Sequence, residues 1–143
     1  MKNIEILESK KIIDYEFAIN YMEEKLLEVK NNTAKELIWF LEHPSIYTSG
    51  RGNPVNQNHI NKIPIYNSGR GGKITWHGPG QRIIYFIIDL KKRELDIRRF
   101  VSNIEKFIIK VKFSLLSSEI TLLIKSLFKT INELLRFFFI IFY

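Results

Sequence analysis

The chain contains no cysteine, which excludes disulfides, zinc thiolate sites and a thiol nucleophile within its 143 residues. Glycine and proline are scarce and confined: all seven glycines and all four prolines lie between Pro44 and Gly80. Tight reversals draw on those two residues, so the last 63 residues have little turn chemistry for further strands. No transmembrane span is expected. The apolar run Phe137 to Tyr143 is far below the roughly 20 residues that a spanning helix needs, and Lys125, Lys129, Glu133 and Arg136 interrupt anything longer. The opening MKNIEILESK has neither an uninterrupted apolar core nor a small-residue cleavage site, so a secretory signal is not read and a cytoplasmic location is expected.

What is present suits one globular domain: 45% hydrophobic and 26% charged residues can enclose a core. The formal charge of +7 is unevenly placed, with twelve Lys/Arg against four Asp/Glu in residues 51–110 but six against nine in residues 1–50. A local basic excess speeds encounter with anionic partners. The basic residues are not interleaved with an aromatic stacking platform, and no nucleic-acid motif occurs, so a nucleic-acid partner is not expected. His59 sits among Asn56, Gln57, Asn58 and Asn61 on what reads as a solvated loop, with no partner for a metal site, and no metal is expected.

Periodicity outlines an α/β chain. Ile4 to Leu7 reads as a short strand. Asp14 to Val29 reads as a helix with Phe17, Tyr21, Leu26 and Val29 on its apolar side, stopped by Asn31-Asn32-Thr33. Glu36 to Leu41 has the content of a buried strand, and Ile63 to Tyr66 that of a short one, with Pro64 near its start or on an edge. Ile83 to Ile88 is apolar on both alternating faces, as in a central strand covered on both sides. Asp89 to Arg99 is a charged turn and helix start, continuing to Lys110 with an apolar stripe of Ile97, Phe100, Val101, Ile104, Ile108 and Val111.

The densest chemistry lies in Gly69 to Leu90, GRGGKITWHGPGQRIIYFIIDL, which holds five of the seven glycines. Two readings stand side by side. Arg70-Gly71-Gly72 and His77-Gly78-Pro79-Gly80 can be two ordinary hairpin turns. Alternatively they form a backbone cradle in which N–H groups meet a carbonyl oxygen, with Arg70 or His77 on polar substrate groups and Ile74, Trp76 and Tyr85 either lining an apolar slot or simply filling the core.

The ordered set Arg, Gly, Gly, Thr, aromatic, His, Gly, Pro, Gly, Gln resembles the signature of the lipoyl(octanoyl) transferases, which move an octanoyl group from acyl carrier protein onto a lysine of a lipoyl domain. A second similarity is Leu41-Glu42-His43-Pro44 followed by Tyr47-Thr48-Ser49-Gly50-Arg51-Gly52. By spacing alone, His43 reads as a turn residue rather than a ligand or base. The resemblance covers residues 1–110. It implies a biotin/lipoate ligase-like fold of α/β (α+β) class, a mixed sheet flanked by helices. It also implies an acyl-substrate site at Arg70, Gly71, Gly72, Lys73, Ile74, Thr75, Trp76 and His77, with no cofactor. The implied partners are octanoyl-acyl carrier protein and lipoyl domains, the acidic carrier docking near Arg51, Arg82, Lys91, Lys92, Arg93, Arg98 and Arg99.

From Lys112 onward the likeness stops. Residues 111–143 read as a separate helical apolar tail, in which Leu116, Ile120, Leu123, Leu127, Ile131 and Leu134 keep helical spacing. The family pattern continues with a catalytic lysine, a His-Gly segment and a Pro-Cys-Gly whose cysteine carries the acyl group, and none of these is present. No catalytic residue is therefore assigned, and the chain is expected to be a truncated, inactive octanoyltransferase, as gene decay or a shifted reading frame would produce. Two alternatives remain: a non-catalytic remnant that binds an acyl group or carrier protein, and a lipoate or biotin ligase, since Gly69-Arg70-Gly71 with Trp76 is faintly similar to biotin ligases.

Overall fold

The computed structural model describes residues 4–52, 54–68, 72–94, 96–116 and 139–142, with side chains described only up to residue 110. It divides into two units, Met1–Ile88 with Phe137–Tyr143, and Asp89–Arg136.

In the first unit, β1 (Ile4–Glu8) leads into α1 (Tyr15–Lys30), then β2 (Glu36–Leu41) and β3 (Ile46–Ser49). After these come β4 (His59–Ile60), β5 (Ile63–Asn67), β6 (Thr75–His77) and β7 (Ile83–Ile87). One mixed sheet has the order β1-β2-β7-β8, where β8 is Phe139–Phe142; β1/β2 and β7/β8 are parallel and β2/β7 antiparallel. A second mixed sheet has the order β4-β5-β3-β6. The mixed sheets and the helix on them are the α+β architecture expected. Every residue of β7 is buried, which is why its sequence is apolar on both faces.

Helix α1 starts where the Asp14 side chain accepts the Phe17 N–H at 3.0 Å and ends where Asn32 turns left-handed at φ 61°. It buries Tyr15, Ala18, Met22 and Val29, and Leu26 packs beside them, a stripe running down one side at 3.6 residues per turn. Against it lie Leu37, Trp39, Leu41, Ile83, Tyr85 and Ile87 of the first sheet. The expected stripe is corrected at one position: Phe17 points about half a turn away, is 59% exposed, and stacks on Tyr21 at 6.4 Å instead. Small Ala18 and flexible Met22 take the core positions.

In the second unit, a 3-10 turn (Lys91–Arg93) precedes α2 (Ile97–Leu116). Asp96 caps α2 by accepting the Arg99 N–H at 2.9 Å. Phe100, Val101, Ile104 and Ile108 are half-buried, whereas Ile97, Phe107 and Ile109 are exposed. Of the residues read as a helical tail, 111–116 are the end of α2, 117–138 lie outside the described residues, and Phe139–Phe142 pairs with β7 as a strand. No described helix is long and apolar enough to cross a membrane.

Candidate functional site

The Gly-rich stretch bridges the two sheets of the first unit. Strand β6 pairs antiparallel with β3, Thr75 facing Thr48, Trp76 facing Tyr47 and His77 facing Ile46. β7 belongs to the other sheet, so His77-Gly78-Pro79-Gly80 is not a hairpin turn: it carries the chain from one sheet to the other. The link from β5 to β6 is not a hairpin either, because β3 lies between those strands. Of the second similar segment, Tyr47 to Gly52, the first three residues belong to strand β3, with Thr48 and Ser49 buried, and the chain leaves the strand after Ser49.

His77 is fully buried and holds this crossover together. Its Nδ1 lies 2.7 Å from Gln81 Oε1 and its Nε2 lies 3.2 Å from Thr48 Oγ1. The Gln81 amide nitrogen is turned toward Trp76 O at 3.4 Å, so its oxygen faces the ring. His77 Nδ1–H therefore donates to Gln81 Oε1, and Nε2 shares the second hydrogen bond with the Thr48 hydroxyl. The turn itself is closed by Gln81 N–H donating to Gly78 O at 3.0 Å and by Gly80 N–H donating to Glu42 Oε2 at 2.8 Å. These two backbone donors face protein acceptors rather than an incoming carbonyl.

Glycine is required at two points of the turn. Gly80 has φ 84°. At Gly78 a Cβ would stand 2.1 Å from Trp76 Cζ2, since the indole lies across its backbone. On the other side of β6, Gly72 has φ 91°, and Gly72, Lys73 and Ile74 are exposed while Thr75 and Trp76 are half-buried. Of the site residues expected from sequence, these five and His77 form one continuous exposed-to-buried strip; Arg70 and Gly71 lie outside the described residues. Tyr85 is core, on the α1 side of the first sheet.

The flanking loop is also fixed. Asn67 at the end of β5 accepts the Val55 N–H and the Ser49 hydroxyl at Oδ1, 3.0 and 2.6 Å, and donates from Nδ2 to Val55 O at 3.0 Å. Ser68 donates through its backbone N–H and its hydroxyl to Ser49 O, at 2.9 and 2.8 Å. No sequence signal singled out Asn67 or Gln81 in these roles, because their partners lie on other strands.

His43 departs most from its sequence reading. It lies in the link between β2 and β3, as a turn residue would, but is fully buried. Its Nδ1–H donates to Ile13 O at 2.6 Å, because a carbonyl can only accept, and its Nε2 accepts the Tyr85 hydroxyl proton at 2.7 Å. Burial lowers its pKa from the ordinary 6.5, opposed by the Ile13 carbonyl and the Asp14 carboxylate, so the ring is neutral. The pairing joins the β1–α1 link to the central strand. Among the described residues no group of three or more His, Asp or Glu converges on a metal-sized site.

Comparison with known proteins matches residues 14–120 to the lipoyl protein ligase A/B catalytic domain. An octanoyltransferase of Wolbachia pipientis wMel is 47% identical over 108 residues, 75% of this chain and 53% of that protein. One from Brucella melitensis is 42% identical over 107 residues, 74% of this chain and 40% of the relative. One from Bartonella tribocorum is 44% identical over 103 residues, 70% and 41%. The chain thus spans about half the length, or less, of the relatives it matches.

Proposed function

Because the chain belongs to the lipoyl protein ligase A/B catalytic-domain family, within the octanoyltransferases, we propose that it carries the acyl-recognition part of the reaction that moves octanoyl from acyl carrier protein to a lysine of a lipoyl domain. The reaction runs in the cytoplasm. Residues Arg70 to His77 form the acyl-substrate site. Gly72, Lys73, Ile74, Thr75 and Trp76 contact the substrate, with Ile74 and Trp76 against the alkyl chain, and His77 positions the strip from beneath. The supporting observation is the buried hydrogen-bond chain Thr48–His77–Gln81, which anchors β6 while the segment before it stays open to solvent. Rigid support of an exposed, Gly-containing backbone is what a carbonyl-binding cradle needs.

The full transfer has two steps. A thiolate attacks the thioester carbonyl, the new C–S bond forms as the old one breaks, and the carrier leaves as a thiolate; the lysine amine then attacks the acyl-enzyme, forming the amide while its proton leaves with the released thiol. These 143 residues contain no cysteine, so we read this chain as binding the acyl group without completing the first step. Incubation with octanoyl-carrier protein and an apo lipoyl domain, read by mass spectrometry, tests this. Binding without transfer, lost in Gly72→Val because φ 91° is strained for a β-branched residue, is expected. A covalent octanoyl adduct or an octanoylated lipoyl domain would refute the inactive reading, and ATP-dependent adenylate formation would favour a ligase.

A further inference from the structure

A cleft of about 260 Å³ opens in the first unit, lined by Glu8, Ser9, Lys10, Lys11, Ile12, Glu42 and Arg82. It lies beyond the carboxyl ends of the parallel pair β1 and β2, where strand ends and the outgoing chain leave a crevice. Two contacts shape it: Ser9 N–H donates to Phe40 O at 2.9 Å and Ile13 N–H to Glu42 O at 2.8 Å, holding residues 9–13 against the end of β2.

The charges in this cleft do not cancel. Glu42 already accepts the Gly80 N–H at 2.8 Å, and Glu8 faces Arg82 at 3.6 Å. Lys10 and Lys11 are exposed and have no hydrogen bond or ion pair among the described residues. Ser9 Oγ accepts the Trp39 indole N–H at 2.9 Å, which leaves its own hydroxyl proton to donate. Two ammoniums, a guanidinium paired at long range with Glu8, the Glu42 carboxylate and a hydroxyl donor thus share one concavity whose three cations outnumber its two carboxylates.

We propose that this cleft binds a small phosphate monoester, its phosphoryl group between Lys10, Lys11 and Arg82 with Ser9 donating to an ester oxygen. A phosphate monoester carries about −1.5 to −2 charges at neutral pH and can meet both unpaired ammoniums, Lys10 and Lys11, at once. Its three oxygens suit a guanidinium fork with ammoniums beside it. The volume is just below the range of drug-sized pockets, which leaves room for a short substituent on the phosphate. Glu42 joins this cleft to the turn at Gly80, so occupancy reaches the crossover that holds His77. The proposal does not depend on the acyl reading.

The test is a titration of the full chain with inorganic phosphate, glycerol 3-phosphate and the diester glycerophosphocholine, following backbone amide resonances. Saturable shifts at Ser9 to Ile12, Gly80 and Arg82 are expected, strongest with glycerol 3-phosphate. Lys10→Ala/Lys11→Ala should weaken binding about tenfold. Lys10→Arg/Lys11→Arg should retain binding, and Lys62→Ala, an exposed lysine elsewhere, should leave it unchanged. Equal shifts around Lys62, unchanged affinity in the double alanine variant, or tighter binding of the diester would overturn the assignment.

Discussion

Acidification should destabilise the protein through His43 specifically. In the folded state its ring is fully buried and neutral, with Nδ1–H on Ile13 O and Nε2 taking the Tyr85 proton, and its pKa is pushed below 6.5. An unfolded histidine titrates near 6.5. Below that pH the unfolded chain binds a proton that the folded one refuses, so stability rises with pH up to about 6.5 and is lost as pH falls beneath it. Between pH 7.5 and 5.5 the loss is at most about 1.4 kcal/mol, a tenfold shift in the folding equilibrium, the bound set by a folded ring that takes up no proton over that range. Urea denaturation of the wild type and of His43→Asn at pH 7.5, 6.5 and 5.5 measures it. The amide does not titrate, so the variant should be less stable at pH 7.5 but have the shallower pH slope. Taking the difference between the two proteins removes contributions from other histidines and carboxylates. Parallel slopes would show that burial does not hold His43 neutral, and the argument from its two hydrogen bonds would fail.

Two further outcomes follow from the crossover. Gln81→Leu leaves the buried His77 Nδ1–H without its acceptor and should cost about 1–3 kcal/mol, read by chemical denaturation; a cost below about 0.5 kcal/mol would mean that another group takes over the proton. Gly78→Ala drives a methyl into the Trp76 indole, whose Cζ2 lies 2.1 Å from the position of that Cβ. The indole must swing off the turn at a cost of about 1–3 kcal/mol, with a red-shifted tryptophan emission, and an unchanged spectrum would refute the packing described.

Much of the fold was readable locally because the relevant signals are local. Asp14 before an apolar-periodic run, and Asn31-Asn32 after it, bound α1 to within a residue or two. Six apolar residues in succession at Ile83 to Ile88 identified a strand buried on both faces, and β7 is one. The face that α1 buries was less legible. Phe17 is the larger apolar side chain, but Ala18 and Met22 lie on the side that meets Leu37, Trp39 and Leu41, and that choice belongs to the sheet rather than to the helix.

The two histidines show where sequence reading stops. Glycine, proline and the ordered Arg70 to Gln81 motif are properties of one short stretch, and they were enough to identify the family and the turn, since backbone permissiveness is written in residue type. Whether a histidine faces solvent or is enclosed in the core depends on what closes around it. For His43 that is Tyr85, 42 residues away, and for His77 it is Thr48, 29 residues away. Those partners meet only because β2 and β7 pair in one sheet and β3 and β6 in the other. The residues capable of chemistry could thus be named from the sequence, but their tautomers, burial and exposure are consequences of strand pairing, which no local pattern encodes.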